Sequence, residues 1–159
     1  MRILALDPGT DLTGWAELLD GAVLASGVEP NETTLARLRV RSCPDQTLLA
    51  VEMIASYGMP VGRETFETVL WIGRFLEAWH SRGGKVRLVY RREVKRHLCG
   101  TDRAKDPHVR QALKDLYGGT AAVGRKASPG PLYGVKSHSW SALAVGVTAA
   151  AGIGQEVEA

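Results

Sequence analysis

Two carboxylates stand where carboxylates are costly. The first ends the run Arg2-Ile3-Leu4-Ala5-Leu6-Asp7, followed at once by Pro8-Gly9. A charge at the end of a buried strand is unfavourable unless a metal, a hydrogen-bond donor or a cation meets it. Pro-Gly puts no bulky side chain in front of Asp7, which suits a divalent cation. The competing role is an Asx-turn, in which the carboxylate accepts hydrogen bonds from the backbone N–H groups of Gly9 and Thr10. The second acid, Glu52, lies in Leu48-Leu49-Ala50-Val51-Glu52-Met53-Ile54, another apolar run. If the two strands pair in parallel, Asp7 and Glu52 sit side by side at one sheet edge. Carboxylates so placed can share metal ions about 4 Å apart.

Charge narrows the chemistry such a pair would serve. The 159 residues carry a formal net charge of +3, but unevenly. Arg82 to Lys136 holds fourteen Lys and Arg against four acids, a local +10 that leaves −7 for the rest. That concentration is the footprint of a protein that meets a polyanion, nucleic acid above all. The alternative is a solvated surface with no partner. Other classes fall away. No run reaches the roughly 18 apolar residues of a membrane span, and no basic segment followed by a long apolar one suggests a signal peptide. Cys43 and Cys99 have no C-x-x-C spacing and no paired base nearby; two lone thiols suit a reducing cytoplasm and small core positions.

The elements that must carry these groups follow from turn residues and period. Arg2 to Asp7, Thr13 to Leu19 and Ala22 to Val28 read as strands, the last two joined by Asp20-Gly21, so residues 2–28 form an antiparallel meander. Pro30 and Asn31 end it, and a short helix over Thr33 to Arg41 turns Leu35 and Leu38 inward. After the Glu52 strand, Gly58, Pro60 and Gly62 mark a loop. Arg63 to Ser81 is the strongest helix. Phe66, Val69, Leu70, Gly73, Leu76 and His80 share one face, and Ile72, Phe75 and Trp79 widen the apolar surface. Such a helix is either covered by the sheet on one side and a second subunit on the other, or buried wholly in the core.

Gly83-Gly84 stops that helix, and Lys85 to Tyr90 alternates as a strand. Helices follow at about Arg91 to Cys99 and Asp106 to Tyr117. Residues 118–136, rich in Gly, Pro, Lys and Arg, are expected to form a flexible basic loop inside a single 1–159 domain. Ser137 is expected to N-cap a last helix from His138 to about Ala151, whose small residues suit close packing on a sheet. The order predicts an α/β fold with a five-stranded mixed sheet, three antiparallel strands and then two parallel, flanked by helices.

Asp7-Pro8-Gly9-Thr10 with Thr13-Gly14, Val51-Glu52, Tyr90-Arg91-Arg92-Glu93-Val94-Lys95 and the closing His138-Ser139-Trp140-Ser141-Ala142-Leu143-Ala144 together resemble the RuvC-type Holliday-junction resolvases, phage and prophage members included. The motifs fall in order over nearly the whole chain. The resemblance implies an RNase H-like nuclease domain, a homodimer, and Mg²⁺-dependent cutting of four-way DNA junctions by paired symmetric nicks, with Mn²⁺ as an alternative metal. It also implies a role in DNA recombination and repair in a bacterial cytoplasm, encoded by the host or by a phage.

The same resemblance places the family's first-strand acid on Asp7 and its fourth-strand acid on Glu52. The family's last helix brings two further ligands, the first of which can be histidine. Here they fall on His138 and Ser141, one helical turn apart, so both would point at one place. His138 is thereby a candidate metal ligand or proton donor; without the resemblance, a lone histidine is more often a polar surface residue. Ser141 departs from the pattern, because a neutral hydroxyl is a poor ligand for Mg²⁺, which prefers charged oxygen. Either one metal is held more weakly, or an acid elsewhere compensates (Asp106, with Asp11 and Glu64 as further options), or cleavage has been lost.

Lys95, and with a one-residue offset Lys105, fall near positions where the family keeps cations by the scissile phosphate. Such cations stabilise charge that builds in the transition state, or simply hold a phosphate in place. The family props its junction open with an apolar or aromatic side chain beyond the second acid. Ala55 stands closest to that position, which leaves the work to Tyr57 or Met59. DNA contacts are expected from Tyr57, Arg91, Arg92, Lys95, Lys105, Arg125, Lys126 and Lys136.

The expected mechanism is two-metal phosphodiester hydrolysis, with Asp7 bridging, and Glu52 and His138 completing the ligands. Two rivals remain: an RNase H-like nuclease acting on RNA or on flap and fork DNA, and a junction-binding protein that no longer cuts. An actin-like ATPase also opens a phosphate site with Asp-x-Gly-Thr after a strand. It needs two domains, for which 159 residues leave no room.

Overall fold

The computed structural model describes residues 1–152. Its centre is a five-stranded sheet in the order β3-β2-β1-β4-β5. The strands are β1 (Arg2–Pro8), β2 (Leu12–Leu19), β3 (Ala22–Pro30), β4 (Thr47–Met53) and β5 (Lys85–Tyr90). The first three form the antiparallel meander, and β4 and β5 run parallel to β1. Asp20 and Gly21 both take positive φ, 49° and 83°, as a two-residue hairpin of matching twist requires.

The helices are α1 (Asn31–Val40), α2 (Arg63–His80), α3 (Arg91–Cys99), α4 (Asp106–Leu116) and α5 (Ser139–Gly152). They cover both faces of the sheet, which explains why the β1 run is apolar without alternation. Its two-residue period divides it between two cores. Ile3 and Ala5 join the core under α3, α4 and α5; Leu4 and Leu6 join the core under α1 and α2. In β4, Ala50 faces the first core, while Leu49 and Val51 face the second. Asp7 and Glu52 continue the Ile3–Ala5 and Ala50 parity, so both acids emerge on the α5 side.

The packing chooses between the two apolar sides of α2. Its buried residues are Thr68, Ile72, Phe75, Ala78 and Trp79. Phe66 and Leu70, on the other side, stay 65% and 67% exposed. A helix apolar on two sides gives no period by which to choose between them, and the contact with α1 and with β5, β4 and β1 decides. The fully buried alternative for α2 is thereby excluded.

The start of α5 is also corrected. Ser137 takes a left-handed φ of 48° and does not cap the helix. Ser139, completely buried, closes the turn instead: its hydroxyl accepts from the Lys136 N–H at 2.9 Å and donates to the Lys136 carbonyl at 2.5 Å. His138 therefore precedes the helix, and its carbonyl accepts the Ala142 N–H at 3.1 Å. Residues 118–136 hold a 3₁₀ turn, Gly119–Ala121, and a small hairpin of β6 (Gly124–Arg125) and β7 (Ser128–Pro129). Ala122, Leu132 and Val135 anchor the segment in the α5-side core.

Candidate active site

Strand register brings the two acids together. Leu6 of β1 stands opposite Val51 of β4, so Asp7 and Glu52 follow as neighbours where the ladder ends. Their side chains are only 16% and 13% exposed. Burial is the largest influence on both and raises both pKa values. Glu52 is pushed up to about 8, first by burial and then by its hydrogen bond to Asp7 and the charge there. The pair therefore holds one proton near neutrality, with the Glu52 carboxyl donating to the Asp7 carboxylate. The Asx-turn is not formed at Gly9, whose N–H goes to the Leu12 carbonyl at 2.9 Å.

The third group reaches Asp7 through a glycine. Gly14 of β2 pairs with Asp7 across the ladder. A Cβ on Gly14 would lie 2.4 Å from the His138 carbonyl oxygen, so only glycine admits the segment entering α5 so close to the strand. That approach sets His138 Nδ1 3.4 Å from Asp7 Oδ2, with the imidazole still 63% exposed. Ser141, further along α5, gives its hydroxyl to Asp7 as a hydrogen-bond donor.

A residue outside the motif readings holds the Asp7 loop. Asn31, 2% exposed, donates to the Gly9 carbonyl at 2.9 Å and accepts from the buried Thr13 hydroxyl at 2.6 Å. Its own N–H goes to the Asp11 carbonyl at 2.9 Å. In the sequence Asn31 follows a proline and looks like a strand stop. Nothing local tells that its side chain reaches back across the meander.

Arg91, expected among the DNA contacts, lines a basic groove and also reaches the acids. It opens α3 directly after β5, and its guanidinium lies 3.5 Å from Glu52 Oε1 and 3.4 Å from Ser141 Oγ. It also bonds Asp106, the first residue of α4. Burial works against the Arg91 charge, but Glu52 and Asp106 outweigh it and hold its pKa above the usual guanidinium value. Through this link Asp106 enters the electrostatics of both buried acids. Asp11 and Glu64 do not enter it: Asp11 accepts from the Thr10 hydroxyl, and Glu64 lies exposed in the first turn of α2.

No three of the His, Cys, Asp and Glu side chains among the described residues close on a common point as a metal cage would. What the site offers is a buried carboxylate pair with a third acid tied in through Arg91. That donor set fits a hard divalent cation, which takes charged oxygens and fills its remaining positions with water or phosphate.

Beside the acids runs a basic groove. A cleft of about 280 Å³ is lined by Tyr57, Arg91, Arg92, Lys95, Asp102 and Arg103. A second, of about 630 Å³, continues past Tyr57 and Arg92 to Tyr90, Arg96 and His97. Tyr57 stands between them, 48% exposed, with the Arg92 guanidinium 4.4 Å from its ring centre. Lys95 is thus brought to the groove next to Arg91. Lys105 is exposed at the N-terminus of α4, beside Asp106. Arg125 and Lys126 lie exposed on the β6–β7 hairpin and Lys136 precedes α5; no hydrogen bond or ion pair of the described residues joins their side chains to the acids.

No protein-family model and no curated protein sequence matches the chain. Solved structures do. The chain superposes on the RuvC structure of Thermus thermophilus with a TM-score of 0.69 and 21% identity, covering 94% of this chain and 93% of that one. It superposes on T. thermophilus RuvC in complex with a Holliday junction substrate with a TM-score of 0.71 and 19% identity, covering 98% and 96%. At these identities the likeness speaks to the fold, which is RNase H-like, as the motif resemblance implied.

Proposed function

We propose that this chain is a structure-specific endodeoxyribonuclease that nicks four-way or branched DNA with the help of Mg²⁺. The observation that carries this reading is the abutting Asp7–Glu52 pair beside a groove lined by Arg91, Arg92, Lys95 and Arg103. Its RNase H-like frame supports it, since one structure of that frame is of a RuvC with a Holliday junction substrate. Asp7 and Glu52 would hold the cation, with Asp106 the best-placed compensating acid for Ser141 and His138 within reach of Asp7. A bound divalent cation supplies activation of water and neutralisation of charge at the phosphate. Lys95, with Lys105 at the next helix start, would stabilise charge on the attacked phosphate. Arg92 and Lys95 would fix backbone phosphates, and Arg125, Lys126 and Lys136 would take the junction arms, so affinity should fall steeply with salt. Tyr57, presented by a left-handed turn with φ 48°, would stack on an unpaired base.

Paired nicks on opposing strands need two sites related by symmetry, and the exposed Phe66–Leu70 face of α2 is the surface we assign to a second copy. The test is incubation with a labelled immobile four-way junction and Mg²⁺, followed by mapping of the nicks. Asp7→Asn is expected to abolish nicking while leaving junction binding nearly intact; undiminished cleavage by that variant removes the mechanism. A second reading, a junction binder without turnover, is favoured by the serine at 141 and by Arg91 among the acids. Absence of turnover with both Mg²⁺ and Mn²⁺ would select it. Cleavage of RNA, flap or fork substrates in preference to the junction would select the other RNase H-like activities.

A further inference from the structure

Arg91 is the residue that the proposed chemistry leaves without a task. Its guanidinium stands among Glu52, Ser141 and Asp106, the place where a cation would meet the acids. We propose that Arg91 is an exchangeable internal counter-ion: it neutralises the acid cluster when no metal is there, and a divalent cation must displace it to bind. This rests on the reading of Asp7 and Glu52 as metal ligands.

The geometry separates an exchangeable cation from a permanent strut. Arg91 meets the buried acid at 3.5 Å and the serine at 3.4 Å, both at the long limit of a hydrogen bond. Its close partner, Asp106, is 63% exposed at a helix start, where water can replace the guanidinium. Arg87 is a strut by contrast, donating at 2.6 Å both to the Ala149 carbonyl and to Glu93. Ser141 fits the same logic. An acid at that position would grip the guanidinium with a second full charge, whereas a neutral hydroxyl lets it go. The released side chain already lies on the wall of the groove with Arg92 and Lys95, where a phosphate can receive it. One residue would thus serve the acids before metal uptake and the DNA backbone after it.

The test is Mn²⁺ binding by isothermal titration calorimetry, without DNA, on metal-free wild type, Arg91→Met, Arg91→Ala and the double variant Arg91→Met/Glu52→Gln. Removing a competing cation is expected to tighten Mn²⁺ binding about tenfold in both single variants, and Glu52→Gln in the double variant should cancel the gain. The single variants should also melt lower than wild type in EDTA and recover on Mn²⁺ addition; folding only with Mn²⁺ would support the proposal equally. If wild type binds Mn²⁺ and the variants bind no tighter, the counter-ion role is overturned and the metal reading stands. If none of the four binds, both fall. Loss of folding in both single variants whatever the metal would mark Arg91 as a strut and overturn the proposal.

Discussion

A shared proton makes Glu52 a stability sensor at the residue scale. Its carboxyl is raised from 4.5 to about 8, first by burial and then by Asp7. The folded state therefore holds a proton that the unfolded chain has released. The stabilisation is fully present below pH 4.5 and is lost as pH rises to about 8. In EDTA the melting temperature, followed by circular dichroism, should fall over that window. Glu52→Gln, which keeps a donor toward Asp7 and cannot ionise, should flatten the curve. Mg²⁺ should flatten it as well, because a bound cation replaces the proton. A metal-free melting temperature that climbs between those pH values would contradict the shared-proton account.

At the scale of elements, the site depends on how closely α5 can lie on the sheet. Gly14 admits the backbone at His138, and Gly146 sits where a Cβ would come within 2.7 Å of Leu18 Cδ1 and 3.1 Å of Ala5 Cβ. Gly14→Ala forces a methyl group into backbone rather than into a side chain that could turn away. Urea unfolding should show a loss of about 1–3 kcal/mol, and nicking should fall with it, since the same displacement moves His138 off Asp7. Asn31 is the counterpart on the loop side. Asn31→Ala strands the Thr13 hydroxyl and the Gly9 carbonyl, and a destabilisation of about 1–3 kcal/mol is expected in the same assay.

For the whole molecule, the acids, the groove and the free face of α2 are three separate regions. The sheet needs one side of α2, leaving Phe66 and Leu70 outward on the other. If that side joins two copies, Leu70→Glu should yield monomers in sedimentation equilibrium without loss of helix content. Junction nicks by such a monomer should become unpaired, appearing on one strand at a time. Unchanged dimers would move the subunit contact elsewhere on the surface. Among the described residues, no helix is long and apolar enough to cross a membrane.

Local patterns determined much of this protein. Continuous apolar runs, Asp20-Gly21 and Gly83-Gly84 fixed five strands and the helices between them, because turn chemistry and side-chain period act over a few residues. The same runs marked Asp7 and Glu52 as acids out of place. Long-range packing decided the rest. Which side of α2 is inward depends on the sheet it meets, and where the segment entering α5 lies depends on how closely His138 approaches Gly14 of β2. Arg91 reads as one cation in a basic stretch until β5 ends beside β4 and aims it at Glu52. Asn31 reads as a strand stop until the meander folds its amide onto Gly9. In each case the deciding contact joins residues far apart in sequence, and no local periodicity encodes a partner that only the tertiary fold brings near.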